Sequence, residues 1–383
     1  MAAPLRILTV VGARPQIIKA AALTRAISGP YRGRIEQNLL HTGQHYDANM
    51  SDVFFQELGV PSPAVHLGVG GGPHGLQTAR MLEGVEQVLL NDRPDLVLVF
   101  GDTNSTLAAA LAAVKMGIPL AHVEAGLRSF DKRMPEEVNR LLCDHCSTWL
   151  FCPTTTGVDN LRREGIEGAH LDPDADRPSV LMVGDVMLDN SSHFAKLAEE
   201  RSTVLHDLGL EAGGYLLATI HRDRNTDDPV RLGRLMGALD ALARKSGSPI
   251  VVPMHPRTRK QLELAVNAPT RAVLSAAPGL RVIDPVGFLD MIALERHSRL
   301  VLTDSGGVQK EAFFFGRPCI VLRDTTEWIE LVQCGQAVLC DAEPELIVNE
   351  AERFLTSGPL SLPSVFGDGH AAERICEELL ARA

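Results

Sequence analysis

The sequence predicts an α/β protein of two domains, each a doubly wound parallel β-sheet covered by helices on both faces. Short runs rich in Val, Ile and Leu alternate with longer segments that have helical spacing, and the alternation continues through nearly the whole chain. Strands that alternate with helices in this way form parallel sheets through crossover connections. A length of 383 residues fits two domains of roughly 170 to 190 residues each.

The first predicted domain comprises residues 1–175 and is Rossmann-like. Its predicted strands read LRILTVV, NLLHTG, DLVLVFG, PLAHVEA and WLFCPT, and its clearest helices read QIIKAAALTRAI and TLAAALAAVKMG. The alternation of strands and helices is interrupted near Asp172 by DPDADRP, a polar segment that contains two prolines. Such a segment is typical of a loop or linker. The domain boundary is therefore predicted at or shortly after it.

The second predicted domain comprises residues 176–367. It opens with the strand SVLMVGD and repeats the rhythm in YLLATIH, PIVVPMH, LRVIDPV, RLVLTDSGG and PCIVLRD. The last residues, HAAERICEELLARA, predict an amphipathic helix over 368–383. One expectation is that this helix packs back on the first domain.

The composition argues against several classes of function. The formal net charge is −11 at pH 7, so the chain lacks the basic surface that binds nucleic acid or anionic lipid without sequence preference. No stretch of about 18 apolar residues occurs, and the start, MAAPLRILTVVGARPQ, lacks the apolar core and cleavage signature of a secretory leader. We therefore expect a cytoplasmic protein with no nucleic-acid and no membrane partner.

The seven cysteines are odd in number and scattered, which is not the pattern of a disulfide framework. The stretch from Cys143 to Cys146, CDHC, has the spacing of half a zinc or redox site. It lies in a segment with a helical pattern, EEVNRLLCDHCS, and no second ligand pair follows at zinc-site spacing. We therefore expect reduced thiols and no metal.

Two glycine-containing turns bear on cofactor binding. Gly12-Ala13-Arg14-Pro15 follows the first strand but lacks the G-x-G-x-x-G spacing that lets backbone approach a dinucleotide. NAD is therefore not expected. The glycines of GVGGGPHG, at 68–75, follow no clear strand. We interpret them as a flexible loop in preference to a phosphate cradle.

The segment Thr303–Glu311, TDSGGVQKE, is the strongest candidate for a phosphate site. It follows a predicted strand and opens a helix, where unpaired backbone N–H groups and the helix dipole favour an anion. The competing interpretation is that Asp304 or Ser305 only caps the helix and the glycines only form a tight turn. These residues alone leave both interpretations open.

Polar clusters follow four other predicted strands. They are Gly101–Ser105, His122–Arg128, His221–Arg222 and His255–Arg257. Taken singly, Asp102 is also a natural helix cap, and a histidine at a strand end is usually a hydrogen-bonded structural residue. Taken together, carboxylates and bases at the carboxyl ends of several strands suit a site for acid/base catalysis that also contains a phosphate-binding segment.

These residues carry a family resemblance. The blocks GARPQIIK, HTGQHYD, GDTNST, HVEAGLRS, PEEVNR, TIHR, PMHP, TDSGGVQKEA and PCIVLRDTTE occur in this order, and the chain resembles the non-hydrolysing UDP-N-acetylglucosamine 2-epimerases along nearly its whole length. The resemblance implies a GT-B-type arrangement of two Rossmann-like domains with an interdomain active cleft. It also implies elimination of UDP to a 2-acetamidoglucal and re-addition after protonation of the opposite C2 face, with no redox cofactor or metal. A homodimer is expected from the same resemblance.

The resemblance also assigns roles to individual positions. The acid/base candidates are Asp102, Glu124 and Glu136, with His221 as a further catalytic group beside the diphosphate. The substrate-binding candidates are Arg14 and Lys19 beside the diphosphate, Ser305, Gly306 and Gly307 around phosphate, Glu311 at the ribose, Arg323 as added positive charge, His255 in the second domain, and Gln44 and His45 along the cleft. The UDP-sugar is the expected partner, with UDP-GlcNAc to UDP-ManNAc as the first choice of reaction.

Departures from the common family pattern point to a rival substrate. Many members read R-P-E, H-R-x-E-N, H-P-N-P and T-E-R-P-E where this chain has Gln16, Arg224, Arg257 and the segment TTEWIE. The R-P-Q, H-P-R and T-E-W forms resemble the branch that acts on UDP-2,3-diacetamido-2,3-dideoxyglucuronate. Arg257 is either a reader of the sugar carboxylate or a solvated surface charge. Arg224 replaces a family glutamate without a sequence-based explanation.

Two other functions fit parts of the pattern. A GT-B glycosyltransferase would share the fold and the phosphate grip, but it gives Asp102, Glu124 and Glu136 no common task. A nucleotide-sugar sensor without catalysis would bind UDP tightly and turn nothing over. The complete acid/base set favours the epimerase.

Overall fold

The structure is a computed structural model. It describes residues 3–44, 55, 57–254, 258–259, 262, 279–358 and 363–382. The chain forms two compact units, one from Met1–Asn190 with Ser364–Ala383 and the other from Ser191–Pro363. Each unit contains one parallel β-sheet with flanking helices, which confirms the predicted fold class.

The first unit contains a sheet of seven parallel strands in the order β3-β2-β1-β4-β5-β6-β7. The strands are β1 (Leu5–Val11), β2 (Ile35–His41), β3 (Val65–His66), β4 (Leu96–Phe100), β5 (Leu120–Val123), β6 (Trp149–Cys152) and β7 (Ser179–Met182). The helices described in this unit are α1 (Arg14–Ser28), α2 (His74–Asn91), α3 (Asn104–Lys115), α4 (Pro135–Cys146), α5 (Thr155–Arg163), α6 (Val186–Arg201), which continues past the unit boundary, and α14 (Ala371–Arg382).

Burial explains why these strands read as continuous apolar runs. Every residue of β4 is buried, as expected for a central parallel strand that is covered on both faces. On one face, Val85 and Leu89 of α2 and the alanines of α3 pack against β1 and β4. Small side chains on α3 let it approach the sheet and α2 closely. The carboxy-terminal helix α14 contacts α1, and Tyr31 Oη donates to Glu377 at 3.1 Å.

The second unit contains six parallel strands in the order β10-β9-β8-β11-β12-β13. The strands are β8 (Leu216–Thr219), β9 (Ile250–Pro253), β10 (Leu280–Ile283), β11 (Val301–Thr303), β12 (Cys319–Val321) and β13 (Ala337–Leu339). The remaining described helices are α7 (Val204–Asp207), α8 (Asp223–Thr226), α9 (Pro229–Ser246), α10 (Phe288–His297), α11 (Gly306–Phe314), α12 (Ile329–Gln333) and α13 (Pro344–Thr356). The core on one face joins α9 and α13 to the sheet.

The strand order places a topological switch point in each sheet. In the first sheet β1 lies beside β4, and in the second β8 lies beside β11, because the chain turns back to the sheet centre after three strands. Ligands of doubly wound sheets bind beyond the carboxyl ends of the strands at such points. The segments that follow these four strands begin at Gly12, Gly101, Ile220 and Asp304.

Candidate active site

At the switch point of the first sheet, Gln16 ties the start of α1 to the end of β4. Its Oε1 accepts from the backbone N–H groups of Gly12 at 2.9 Å and Ala13 at 3.1 Å, and its Nε2 donates to the Phe100 carbonyl at 2.9 Å. Gln16 is buried. The R-P-Q form therefore has a structural role here, in which the amide supplies both the acceptor and the donor that this junction requires.

Gly101 forms the turn between β4 and Asp102. Its φ of 61° is left-handed, and a Cβ added there would lie 3.2 Å from Lys19 Nζ and 3.3 Å from Glu124 Oε2. Lys19 and Glu124 form an ion pair across this turn. The structure therefore brings Lys19, Glu124 and the backbone that carries Asp102 into direct proximity, although they are far apart in sequence.

Glu124 has an unusual backbone conformation. Its φ is 77°, a left-handed value that costs a non-glycine residue free energy and is often found at functional sites. The backbone N–H groups of Glu124 and Ala125 both donate to the Phe151 carbonyl at 3.1 Å. This turn directs the Glu124 carboxylate toward Lys19 at the carboxyl end of the sheet.

Asp102 is held by α4. Arg140 Nη2 donates to Asp102 Oδ2 at 2.5 Å and Arg140 Nη1 to Glu137 Oε2 at 3.0 Å. Asn139 Nδ2 donates to the Asp102 carbonyl at 2.9 Å. The Asp102 side chain keeps 29% of its surface exposed. Its carboxylate is thus fixed in place while one side stays open to solvent.

Glu137 anchors this arrangement to the loop before α4. Its carboxylate accepts from the Ser129 N–H and hydroxyl and from the Phe130 N–H. Burial alone would raise the pKa of Glu137, but these hydrogen bonds and Arg140 outweigh burial and lower it. Glu137 is therefore ionised at neutral pH and is used structurally.

Glu136, the neighbouring acid/base candidate, is exposed in the first turn of α4. It precedes Arg140 by four residues, so the two side chains lie on one helix face. The three carboxylate candidates thus lie at two elements of the first unit, the Gly101 turn and helix α4. Glu124 lies over the Gly101 turn that carries Asp102, and Glu136 lies on the helix that binds Asp102.

The other binding candidates of the first unit lie close to the same strand ends. Arg14 is an exposed residue at the first position of α1. Gln44 Oε1 accepts from the N–H and the hydroxyl of Ser105, at 3.0 and 2.7 Å, at the start of α3. His45, together with His255 and Arg257 of the second unit, lies outside the described residues.

At the switch point of the second sheet, Asp304 organises the loop after β8. It is fully buried, and its carboxylate accepts from the His221 N–H at 3.0 Å, the Arg222 N–H at 3.1 Å and Asn225 Nδ2 at 2.9 Å. Asp304 therefore joins the ends of β8 and β11 and is not the helix cap. Ser305 is the N-cap of α11, because its Oγ accepts from the Val308 N–H.

The amino terminus of α11 offers backbone donors to an anion. Gly306 and Gly307 begin the helix, where the first N–H groups have no partner within the helix. A Cβ at Gly306 would lie 3.5 Å from Trp328 Nε1 and 3.6 Å from Glu327 Oε2. The indole N–H thus faces the same space. Capping by Ser305 and anion binding by the glycines are compatible, since they use different groups.

Arg323 and Arg222 differ in how far nearby carboxylates neutralise their positive charge. Arg323 is buried, and both its Nη groups donate to Glu327, at 2.9 and 3.0 Å. Burial alone would raise the pKa of Glu327, but Arg323 lowers it. Arg222 donates from Nε to the Asp304 carbonyl at 3.2 Å, lies 3.7 Å from Glu327, and has a side chain that is 43% exposed. Arg222 is therefore the better placed cation, although the family resemblance assigned it no individual role beyond its place in the His221–Arg222 cluster.

Two further positions explain departures from the family pattern. The ammonium of Lys310 lies 3.9 Å from the centre of the Trp328 ring, a cation–π contact that depends on the tryptophan of T-E-W. Arg224 donates to both carboxylate oxygens of Asp324 at 2.7 Å in an exposed ion pair. Glu311, the ribose candidate, is buried in α11 next to Lys310.

In the part of the chain that the structure describes, no three His, Cys, Asp or Glu side chains are grouped as a metal site would need. Cys143 and Cys146 lie one turn apart on α4, and all seven cysteines are free thiols. None of the helices in the described ranges combines the length and apolar character required to cross a membrane.

Comparison with known proteins places this geometry in a family. Residues 31–380 match the family described as UDP-N-acetylglucosamine 2-epimerase. UDP-2,3-diacetamido-2,3-dideoxy-D-glucuronate 2-epimerase of Pseudomonas aeruginosa is 48% identical over 376 residues, 98% of this chain and 99% of the relative. UDP-N-acetylglucosamine 2-epimerase of Methanocaldococcus jannaschii is 40% identical over 368 residues, 96% of each.

A solved structure agrees with the sequence comparisons. The crystal structure of the Methanocaldococcus jannaschii UDP-GlcNAc 2-epimerase in complex with UDP-GlcNAc and UDP superposes with a TM-score of 0.85 at 39% identity, covering 98% of this chain and 99% of that one. The resemblance predicted from the ordered motifs is confirmed. The chain therefore belongs to the UDP-N-acetylglucosamine 2-epimerase family and is an isomerase of that type.

Proposed function

We propose that the protein inverts C2 of a UDP-linked 2-acetamido sugar and that its substrate is UDP-2,3-diacetamido-2,3-dideoxy-D-glucuronate. The observation that carries the reaction class is the grouping at the Gly101 turn, where the Glu124–Lys19 pair lies beside the backbone of Asp102 and Arg140 binds the Asp102 carboxylate. This is a pair of positioned carboxylates, each next to a cation, at the switch point of the sheet.

Such a pair suits elimination and re-addition. The hydrogen on C2 is weakly acidic, so a carboxylate must take it as the bond from C1 to the diphosphate oxygen breaks. The C2–H electron pair becomes the C1–C2 double bond, and UDP leaves with the electrons of the C–O bond. Re-addition reverses these changes while a second carboxylic acid protonates the opposite face of C2. The steps balance without an oxidant or a reductant.

The second unit contains candidate ligands of a diphosphate, in addition to Arg14 and Lys19 of the first unit. The candidates there are the backbone N–H groups of Gly306 and Gly307, the Ser305 hydroxyl, His221 and Arg222. Charge that develops on the leaving oxygen is stabilised by donors that are already fixed in place, and Asp304 fixes the His221–Arg222 loop through its buried hydrogen bonds. Glu311 is the candidate for the ribose hydroxyls.

The choice of sugar rests on sequence. The 48% identity to the diacetamido-glucuronate enzyme exceeds the 40% identity to a UDP-GlcNAc enzyme, which favours the alternative over our first choice of UDP-GlcNAc. The Lys310–Trp328 contact gives the T-E-W form a physical role at the candidate phosphate site. Arg257 remains the proposed reader of the sugar carboxylate. UDP-GlcNAc is the second candidate.

The deciding experiment is NMR of the purified enzyme in D2O, without added NAD or metal, first with UDP-GlcNAc and then with the diacetamido-uronate. We expect the uronate to give a manno product with deuterium at C2. If only UDP-GlcNAc exchanges, the substrate proposal fails and the epimerase proposal stands. If neither exchanges, the epimerase proposal itself fails, and a screen for glycosyl acceptors follows.

The role of Arg257 is tested by comparing Arg257→Gln with Arg259→Gln. Arg259 is a partly exposed residue whose side chain pairs with Asp284 at 3.0 Å, so it serves as the matched control. A carboxylate reader predicts that Arg257→Gln lowers kcat/KM for the uronate by at least about tenfold and leaves exchange of UDP-GlcNAc unchanged. Equal effects of the two substitutions would identify Arg257 as a surface charge.

A further inference from the structure

His122 is a fully buried histidine whose two ring nitrogens both face acceptors. Nδ1 lies 2.7 Å from Asp144 Oδ1, and Nε2 lies 2.8 Å from the carbonyl oxygen of Gly101. His122 is the third residue of β5, and Gly101 directly follows the neighbouring strand β4. The ring therefore bridges a carboxylate on α4 and the turn that carries Asp102.

This geometry determines the protonation state of the ring. A carbonyl oxygen has no hydrogen to donate, so Nε2 must carry one. The Asp144 carboxylate also accepts from Arg128 Nη1 at 2.7 Å and from the Gly126 N–H at 3.2 Å, as an ionised group does. Nδ1 must then be a donor as well. With Asp144 ionised, only an imidazolium satisfies both contacts, because either neutral tautomer would set a lone pair against an acceptor.

The surrounding charges balance. His122 and Arg128 are the two cations, and Asp144 and Glu164 are the two carboxylates, with Arg128 bound to Glu164 through Nε and Nη2 at 2.7 Å each. Burial alone would lower the pKa of His122, but the neighbouring Cys143 and the Asp144 carboxylate outweigh burial and raise it. On β6, the Cys152 thiol faces Asp144 and Arg128.

The network reaches both turns that carry candidate acid/base groups. Through His122, Asp144 holds the carbonyl of Gly101, the residue before Asp102. Directly, Asp144 holds the N–H of Gly126, two residues after Glu124. The buried Asp144 carboxylate therefore restrains both the turn that carries Asp102 and the turn that carries Glu124.

We propose that His122 is a positioning residue, held as an imidazolium between Asp144 and the Gly101 carbonyl, that fixes the Asp102 turn against the Glu124 turn. Its activity test rests on the proposed epimerase reaction, whereas its protonation state does not. A displacement of about 1 Å in a reacting group can lower a rate by about 10²-fold. A buried ion pair with both ring protons engaged restrains the turn more firmly than one neutral hydrogen bond does.

The first test is two-dimensional 15N NMR of the full chain labelled at histidine, with the His122 signals assigned by their loss in His122→Gln. We expect both ring nitrogens of His122 to stay protonated from about pH 6 to about pH 9, across the range in which exposed histidines lose a proton. Asp144→Asn should leave Nδ1 unprotonated at the upper end of this range, and Asp159→Asn, at an exposed position on α5, should not. A single unprotonated nitrogen in the wild-type protein at neutral pH overturns the proposal.

The second test compares His122→Gln, which keeps an N–H donor, with His122→Leu, which has none. We expect His122→Leu to lower kcat by about 10²-fold, with His122→Gln intermediate, and both to keep the wild-type affinity for UDP. Unchanged kcat in a folded variant, or a loss confined to UDP affinity, overturns the positioning role. If His122→Leu does not fold, the NMR result and His122→Gln decide. If no sugar turns over, the NMR result still tests the charged state.

Discussion

Arg140 donates to Asp102 Oδ2 at 2.5 Å from one guanidinium nitrogen and to Glu137 from the other. A single buried guanidinium thus joins Asp102, a partly exposed acid/base candidate, to a carboxylate that is itself fixed by the Ser129–Phe130 backbone. Asp102 is therefore held from α4, while the Gly101 turn holds its backbone. The orientation of its carboxylate depends on both contacts.

Arg140→Lys tests this dependence. A lysine keeps the charge but cannot bind Asp102 and Glu137 simultaneously in the planar geometry of a guanidinium. We expect kcat to fall by about 10²-fold while KM and the affinity for UDP stay near wild type, because the proposed diphosphate ligands lie in other segments. Steady-state kinetics and calorimetry with UDP provide the measurement. Arg133→Lys, at an exposed position, is the control, and a wild-type kcat in Arg140→Lys would contradict the role.

Asp102→Asn separates proton transfer from binding. The amide has nearly the same shape and can still accept from Arg140 through its oxygen, but it cannot exchange a proton with C2. We expect kcat to fall by at least about 10²-fold and UDP affinity to change little. Exchange of deuterium into C2 is the direct measurement. Loss of UDP affinity in a normally folded variant would make Asp102 a binding residue.

The residues around Asp102 also show what sequence alone can predict. The sequence predicts the strand ends, their order and the polar clusters that follow them, because hydrophobic alternation and the ordered motifs are local signals. The sequence does not predict Arg140 as a partner of Asp102, because the two residues are 38 positions apart. Only the packing of α4 against α3 brings them together. A hint exists in PEEVNR, where Arg140 follows Glu136 at helical spacing.

Gln16 and Arg323 illustrate two other limits. Gln16 is a clear departure in the sequence, yet its buried bonds to Gly12, Ala13 and Phe100 depend on how β1 and β4 pair. Arg323 reads as a free positive charge, but Glu327 follows four residues later and accepts from both its Nη groups. Arg222, which neighbours His221 in the motif, keeps more of its guanidinium exposed.

Arg222→Ala and Arg224→Ala form a matched pair that tests this difference. Arg222 lies beside the candidate anion site at Ser305 and Gly306, and a charge-assisted hydrogen bond to phosphate contributes roughly 1.5 to 3 kcal/mol. We expect Arg222→Ala to weaken UDP binding by about tenfold or more. Arg224 forms only an exposed pair with Asp324, so Arg224→Ala should change UDP affinity very little. Calorimetric titration with UDP measures the affinity of both variants. A larger loss of affinity in Arg224→Ala than in Arg222→Ala would identify Arg224 as the cation that binds phosphate.

His41 predicts how stability responds to acid. It is buried at the end of β2, its Nδ1 has no hydrogen-bond partner in the described residues, and its ring stacks on His66 at 4.6 Å. Burial first, and the charge of His66 second, lower its pKa from 6.5 to about 4. As the pH falls through this window, the unfolded chain binds the proton before the folded chain does, so the free energy of unfolding decreases.

The contribution of His41 is fully present above pH 6.5 and is lost progressively toward about pH 4, at up to about 1.4 kcal/mol per pH unit. His41→Gln removes the titrating group. Urea unfolding between about pH 7 and about pH 4.5 should therefore show a shallower decline in the variant than in the wild type, whatever its stability at neutral pH. A parallel decline in both proteins would mean that other groups, such as the buried carboxylates, account for the acid sensitivity in this range.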